Sequence, residues 1–271
     1  MNKVTRLKYY IESLCIYDFE DDDVFSALYD LLCDDEEDTV ALQSYFFKEL
    51  AKSESLKRHI SRLILTNDNI FTKAACAGKV NQLSIAVINA VKSDLAKLEE
   101  IASLTAQDIL ADIDDEDIKE ILLTLPGWEV GKPLAPLDSH WDRQLDELIK
   151  YHRENGYGIY AKNIAFTWRD EEITPVNSID PIRLTDLKNY ELQRNKVIDN
   201  TESFIAGHPA NNVLLYGDRG TGKSSTVHAI LNEYWQKGLR MIEIPKSAVA
   251  DLSLIREQIA DSPMKFIIYI D

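Results

Sequence analysis

Gly217-Asp218-Arg219-Gly220-Thr221-Gly222-Lys223-Ser224 spells G-x-x-x-x-G-K-S, the pattern of a phosphate-binding loop. The pattern alone arises by chance in roughly one chain in a hundred of this length, so its flanks decide. Immediately before it, Val213-Leu214-Leu215-Tyr216 is a short apolar run that predicts a strand buried on both faces. After it, Val227, Ile230, Leu231 and Tyr234 recur at helical spacing, and Gly238 predicts the helix stop. Strand, glycine loop and helix follow one another in the order a phosphate cradle requires.

A triphosphate brings several negative charges and many acceptor oxygens. Gly217, Gly220 and Gly222 let the backbone turn tightly and approach those oxygens with no Cβ in the way. The loop N–H groups can then converge as a nest, and the helix that follows adds its N-terminal amides and the positive end of its dipole. Lys223 is predicted to reach the β- and γ-phosphates, and the Ser224 hydroxyl to ligate Mg²⁺. Asp218, Arg219 and Thr221 fill the variable positions, and Arg219 reads as a solvated loop charge.

A second chemical feature lies 47 residues beyond Ser224. Lys265-Phe266-Ile267-Ile268-Tyr269-Ile270 predicts another buried strand, and Asp271 stands at its C-terminal tip. An acidic residue there suits the Walker B role, orienting the Mg²⁺ water shell beside the loop serine. Lys223 and Asp271 are thus the expected catalytic pair, and Ser224 and Asp271 the expected metal pair.

At 271 residues the chain has room for two domains. Its net charge is −16, unevenly spread: residues 1–136 hold 14 Lys/Arg against 26 Asp/Glu, and residues 137–271 hold 16 against 20. An acidic first half argues against a nucleic-acid backbone as its partner and suits either solvated helix faces or a basic protein surface. Cys15, Cys33 and Cys76 are odd in number and lack metal-ligand spacing, which fits reduced thiols in a cytoplasmic protein. Met1-Asn2-Lys3-Val4-Thr5-Arg6 has no long apolar run behind it, so no signal peptide is expected, and no stretch reaches the length of a membrane span.

Residues 1–125 read as an acidic all-α domain. Asp21, Asp22 and Asp23 are placed to cap a helix carrying Val24, Leu28, Leu31 and Leu32. The cluster from Asp34 to Asp38 suits a turn and a helix start. His59, between Arg58 and Ile60, is expected at a surface helix position. Residues 126–180 read as a linker, rich in Pro and Gly over 126–138, followed by a helix and a hairpin. The strand character there spans Ile159 to Trp168, and Asp170-Glu171-Glu172 turns the chain back into Ile173. Residues 181–271 read as a partial nucleotide-binding core: a helix to Ala206 capped by Gly207, then alternating strand and helix from 212 to 271, with Leu239-Arg240-Met241-Ile242-Glu243-Ile244 as a strand ended by Pro245 and Asp251 as the cap of the next helix. The fold class is therefore α/β: a helical domain, then a mainly parallel sheet flanked by helices.

The second half resembles AAA+-type ATPases. More closely, it resembles a family of uncharacterised bacterial ATP-binding proteins known as a domain of unknown function. The residues that carry the resemblance are Asn211 to Gly217 running into Gly220-Thr221-Gly222-Lys223-Ser224-Ser225. Asp186-Leu187, Tyr190, Gln193, Asn200 to Phe204 and Gly207 upstream, and Gly238-Leu239-Arg240 and 266–271 downstream, carry it too. It spans about residues 156–271 and is weak over 1–125. It implies that Ser225 joins the phosphate-binding set and that 181–190 wraps the adenine, with Leu187 and Tyr190 in contact. It also implies that the nucleotide is ATP rather than GTP.

AAA+ modules continue past Walker B with a second acidic residue, a sensor strand, an arginine finger and a helical lid. The strand after Walker B inserts beside the first strand, which without it loses its normal neighbour. The resemblance thus implies a partial core, a fragment of a longer protein that hydrolyses ATP and assembles into homo-oligomers when full length. The rival expectation is a nucleotide-gated adaptor whose acidic helical half holds a protein partner, with little or no hydrolysis. A DNA-linked, helicase-loader-like role ranks last, given that acidity.

Overall fold

The computed structural model describes residues 1–34, 38–53, 55–176, 178–260 and 262–270. The chain divides into two compact units, Met1–Tyr151 and His152–Asp271. Asp35, Glu36 and Glu37 of the acidic cluster, and Asp271 of the expected Walker B position, lie outside the described residues.

The first unit contains helices and no strand among its described residues. They are α1 Lys3–Glu12, α2 Asp23–Cys33, α3 Thr39–Leu50, α4 Leu56–Leu65, α5 Ile70–Cys76, α6 Ile85–Ile101, α7 Ala106–Leu110 and α8 Glu116–Leu122, followed by the start of α9 Leu145–Asn155. Caps fix where several begin: the Asp22 carboxylate accepts from the Phe25 N–H (2.9 Å), and Asn69 and Thr105 each close a capping box. Leu7, Leu28, Phe46, Ile60, Phe71, Leu95 and Leu98 are fully buried in one core. Buried Asp94 accepts the N–H groups of Cys15 (2.9 Å), Ile16 (2.7 Å) and Tyr17 (3.3 Å), which pins the loop after α1 to α6.

Residues 126–138 lie along this core instead of hanging between domains. The N–H groups of Leu56 and Lys57, in the first turn of α4, donate to the carbonyls of Glu129 (3.0 Å) and Val130 (2.9 Å). The Trp128 indole donates to the Leu104 carbonyl (2.9 Å), and Leu137 is buried. His59 corrects the surface expectation. It is buried, with Nε2 2.8 Å from Asp22 Oδ1 and Nδ1 2.8 Å from the Ser53 hydroxyl. Burial would raise the Asp22 carboxyl, but the hydrogen bonds from His59 and the Phe25 N–H outweigh it and hold it below the ordinary range.

The second unit is a four-stranded sheet in the order β2-β1-β3-β4, from β1 Ala165–Arg169, β2 Glu172–Pro175, β3 Leu239–Ile244 and β4 Lys265–Ile270. β1 and β2 form the expected antiparallel hairpin, with Trp168 opposite Ile173. Its turn places Asp170 and Glu171 at φ 52° and 62°, the left-handed pair of a two-residue turn that follows the sheet's twist. β1 pairs parallel with β3, and β3 with β4. Helices α10 Gly158–Lys162, α11 Glu191–Ile205, α12 Lys223–Tyr234 and α13 Leu252–Gln258 complete the unit.

Alternation along the strands gives the sheet two apolar faces. Ala165, Leu239 and Met241 pack with Val227, Ile230, Leu231 and Tyr234 of α12. Phe166, Trp168, Ile242 and Ile244 pack with Tyr160 and with Ile255 of α13. Buried Arg240 donates to the carbonyls of Tyr160 (2.9 Å), Trp235 (3.0 Å), Leu239 (2.9 Å) and Asn155 (3.3 Å), so its charge is taken out of water among acceptors.

Three local expectations are corrected here. Residues 159–162 lie in helix α10, and the strand begins only at Ala165; the stretch Ile159-Tyr160-Ala161-Lys162 is too short for its periodicity to separate helix from strand. Asp251 does not cap α13 through its side chain, because its carboxylate accepts from the Trp168 indole at 3.0 Å. The largest correction concerns 213–216. These residues form no strand and pair with none, and Val213, Leu214 and Tyr216 are 48, 84 and 89 % exposed. A strand exists only where a neighbour takes its backbone groups, and no described strand takes theirs. Leu215 alone turns inward, against the α11 and α12 side of the sheet.

Candidate functional site

The glycine loop leads from the exposed 213–216 segment into α12. Gly217, Gly220 and Gly222 have φ of 143°, 84° and 81°, a region that side chains rarely enter. A Cβ built on Gly220 or Gly222 would meet no protein atom within 4 Å, so open space lies before the loop on both residues. Gly222 is the N-cap of α12, and its carbonyl accepts from the Thr226 N–H (2.9 Å) and hydroxyl (2.8 Å). The amides of the first helical turn, at Lys223, Ser224 and Ser225, have no acceptor within the helix by its geometry.

Lys223 spans the loop. Its ammonium donates to the carbonyls of Gly217 (3.0 Å) and Asp218 (2.8 Å), tying the first residues of the turn to its last. The Thr221 hydroxyl donates to the Asp218 carbonyl at 2.9 Å and tightens the same ring. An ammonium has three donors, so with two on carbonyls the third remains for an anion at the mouth. Arg219 is exposed and outside the cleft, in keeping with a solvated charge.

The loop forms one wall of a cleft of ≈ 290 Å³. Gly217, Asp218, Thr221, Gly222, Lys223 and Thr226 line one side, and Leu187, Lys188, Asn189, Tyr190, Gln193, Arg194 and Val197 the other. The structure thus brings the two expected adenine contacts, Leu187 and Tyr190, to the same cavity as the glycine loop. Ser224 and Ser225 follow on α12 outside the lining, and Asp271 lies beyond the described residues.

The 187–190 wall is a strained turn. Asn189 and Tyr190 both hold left-handed backbone, φ 65° and 57°, and Tyr190 is the N-cap of α11. Arg194, one turn into that helix, donates from Nη1 to the carbonyls of Leu187 (2.8 Å) and Asn189 (3.4 Å). Two consecutive left-handed residues cost energy that the surroundings must offset, and such turns cluster at ligand clamps. The charge of the lining is also distinctive. Lys188, Arg194 and Lys223 face one carboxylate, Asp218, in a chain of net charge −16.

Three site residues escape the motif argument. Arg194 and Thr226 carry no pattern that separates them from ordinary helix positions. Tyr269 likewise stands outside the motif, as the fifth residue of β4. Its hydroxyl donates to Ser224 Oγ at 2.8 Å, and its ring meets His228 edge-on at 6.4 Å.

The residues present fit a nucleoside polyphosphate. Open space before Gly220 and Gly222, a cationic lining and a partly apolar wall suit an anionic tail joined to a flat base. They also fit a Mg²⁺ ion, since Ser224 offers a neutral oxygen and this ion keeps most of its waters. Against known proteins, no curated sequence and no solved structure matches the chain. Residues 161–271, which hold the sheet, the glycine loop and the cleft, match the family model described as "Protein of unknown function (DUF815)".

Proposed function

We propose that the second unit binds ATP as its Mg²⁺ complex in the cleft between the glycine loop and the 187–190 turn, as a P-loop protein of AAA+ type. The observation that carries this is the juxtaposition itself. A glycine loop with open space before it and a cationic lining shares one cavity with the strained turn that Arg194 clamps. In this reading the loop amides and Lys223 hold the phosphates, Ser224 takes one ligand position of the metal, and Leu187 and Tyr190 flank the base. A bound Mg²⁺ would neutralise part of the phosphate charge. The resemblance adds turnover, with water attacking the γ-phosphate in line and Lys223 stabilising the charge that builds there. The resemblance assigns Asp271 to the same metal site.

The test is thermal unfolding with and without ATP. A ligand at about 100 times its Kd contributes roughly 2.7 kcal/mol, a readily measured rise in midpoint. Wild type is expected to show that rise with ATP, and Lys223→Ala to lose it while unfolding normally without ligand. An equal rise in the variant contradicts the assignment. Phosphate release by the wild type then measures turnover separately from binding.

A further inference from the structure

Tyr269 belongs to no part of the phosphate-loop pattern, yet it holds the residue expected to meet the metal. Its hydroxyl donates a 2.8 Å hydrogen bond to Ser224 Oγ. Two features keep it there. The strand β4 fixes its backbone through a full parallel register with β3, where Tyr269 stands opposite Glu243. The edge-on contact with His228, one turn along α12 from Ser224, braces the ring. The same hydroxyl oxygen therefore faces two claims. A serine hydroxyl has two acceptor positions and one proton. A Mg²⁺ ligand must offer a lone pair at 2.0–2.1 Å in a near-octahedral shell that tolerates little distortion. A phenol donating into that oxygen takes one of its two acceptor positions and competes for its lone-pair density.

We propose that Tyr269 is a positioning residue that gates the metal: its hydroxyl caps Ser224 when no divalent cation is present and is displaced when one binds. This rests on the polyphosphate reading of the loop. The cap keeps the Ser224 rotamer in place in the empty site and makes nucleotide binding more dependent on cation concentration. The phosphate contacts of the loop amides and Lys223 do not involve Tyr269, so affinity in the absence of metal is independent of it.

The experiment measures binding of a ribose-labelled fluorescent ATP to the whole chain, first in a chelator and then across a Mg²⁺ titration. Tyr269→Phe keeps the ring and its His228 contact and removes only the hydroxyl. It is expected to leave the metal-free Kd unchanged and to lower the Mg²⁺ concentration at half-effect about five-fold, the value of one ordinary hydrogen bond. In a Ser224→Ala background the same change is expected to do nothing. A Mg²⁺ midpoint that stays put or rises in Tyr269→Phe overturns the gate, as does a shift that survives in Ser224→Ala. If wild type binds no nucleotide under either condition, the polyphosphate reading itself fails, and that pattern is distinct from the other two.

Discussion

Gly131 and Gly207 both hold left-handed backbone, at φ 67° and 78°, but their surroundings differ. A Cβ at Gly207 meets nothing within 4 Å, whereas one at Gly131 would collide with the Ser55 side chain. Ser55 precedes α4, whose first amides are held by Glu129 and Val130. Gly207→Ala is therefore expected to cost about 1–2 kcal/mol, the backbone term alone. Gly131→Ala should cost clearly more, since it also pushes the 126–138 segment off α4. Urea unfolding of the two variants checks this, and equal costs would contradict the packing described for that segment. The same residue-level logic shows what could be read beforehand. Gly217, Gly220 and Gly222 were legible because the loop chemistry is local. His59 was not, because the partner that buries it, Asp22, lies 37 positions away and its neighbours Arg58 and Ile60 give no sign of it.

At the level of elements, β3 and β4 appear with the bounds the sequence predicts: β3 is closed by Gly238 and Pro245, and β4 holds the unbroken apolar run from Phe266 to Ile270. The run at 213–216 looks the same on paper and is no strand, because strand formation depends on a neighbour that local sequence does not encode. Helix α9 supplies a pH prediction. His152 is buried on it, and burial lowers its pKa from the ordinary 6.5, an effect its contact with the Gly156 carbonyl opposes in part. The unfolded chain then binds more protons below about pH 6.5. The stability this group contributes is complete above that value and is lost as pH falls toward the lower folded pKa. Asp22, at the cap of α2, is also lowered, from 3.8, so its contribution is lost only below that value. Acidification should therefore loosen the amides around His152 before those of α2, as read by hydrogen exchange. His152→Gln should flatten the first step. Loss of α2 protection first would contradict this ordering.

Over the whole molecule, charge and chemistry are divided. The first 136 residues carry a net charge of −12 and the remainder −4. The cationic cleft belongs to the less acidic unit, His152–Asp271. Among the described residues no helix is long and apolar enough to cross a membrane. The function proposed for the molecule depends on the backbone amides at 220–224 receiving a polyphosphate. Residue-resolved hydrogen exchange, before and after saturating Mg·ATP, observes those amides directly. The expected result is slowed exchange at Gly220, Thr221, Gly222, Lys223 and Ser224, together with the 187–190 turn. Unchanged exchange across the loop at ATP concentrations that saturate any other binding would contradict it.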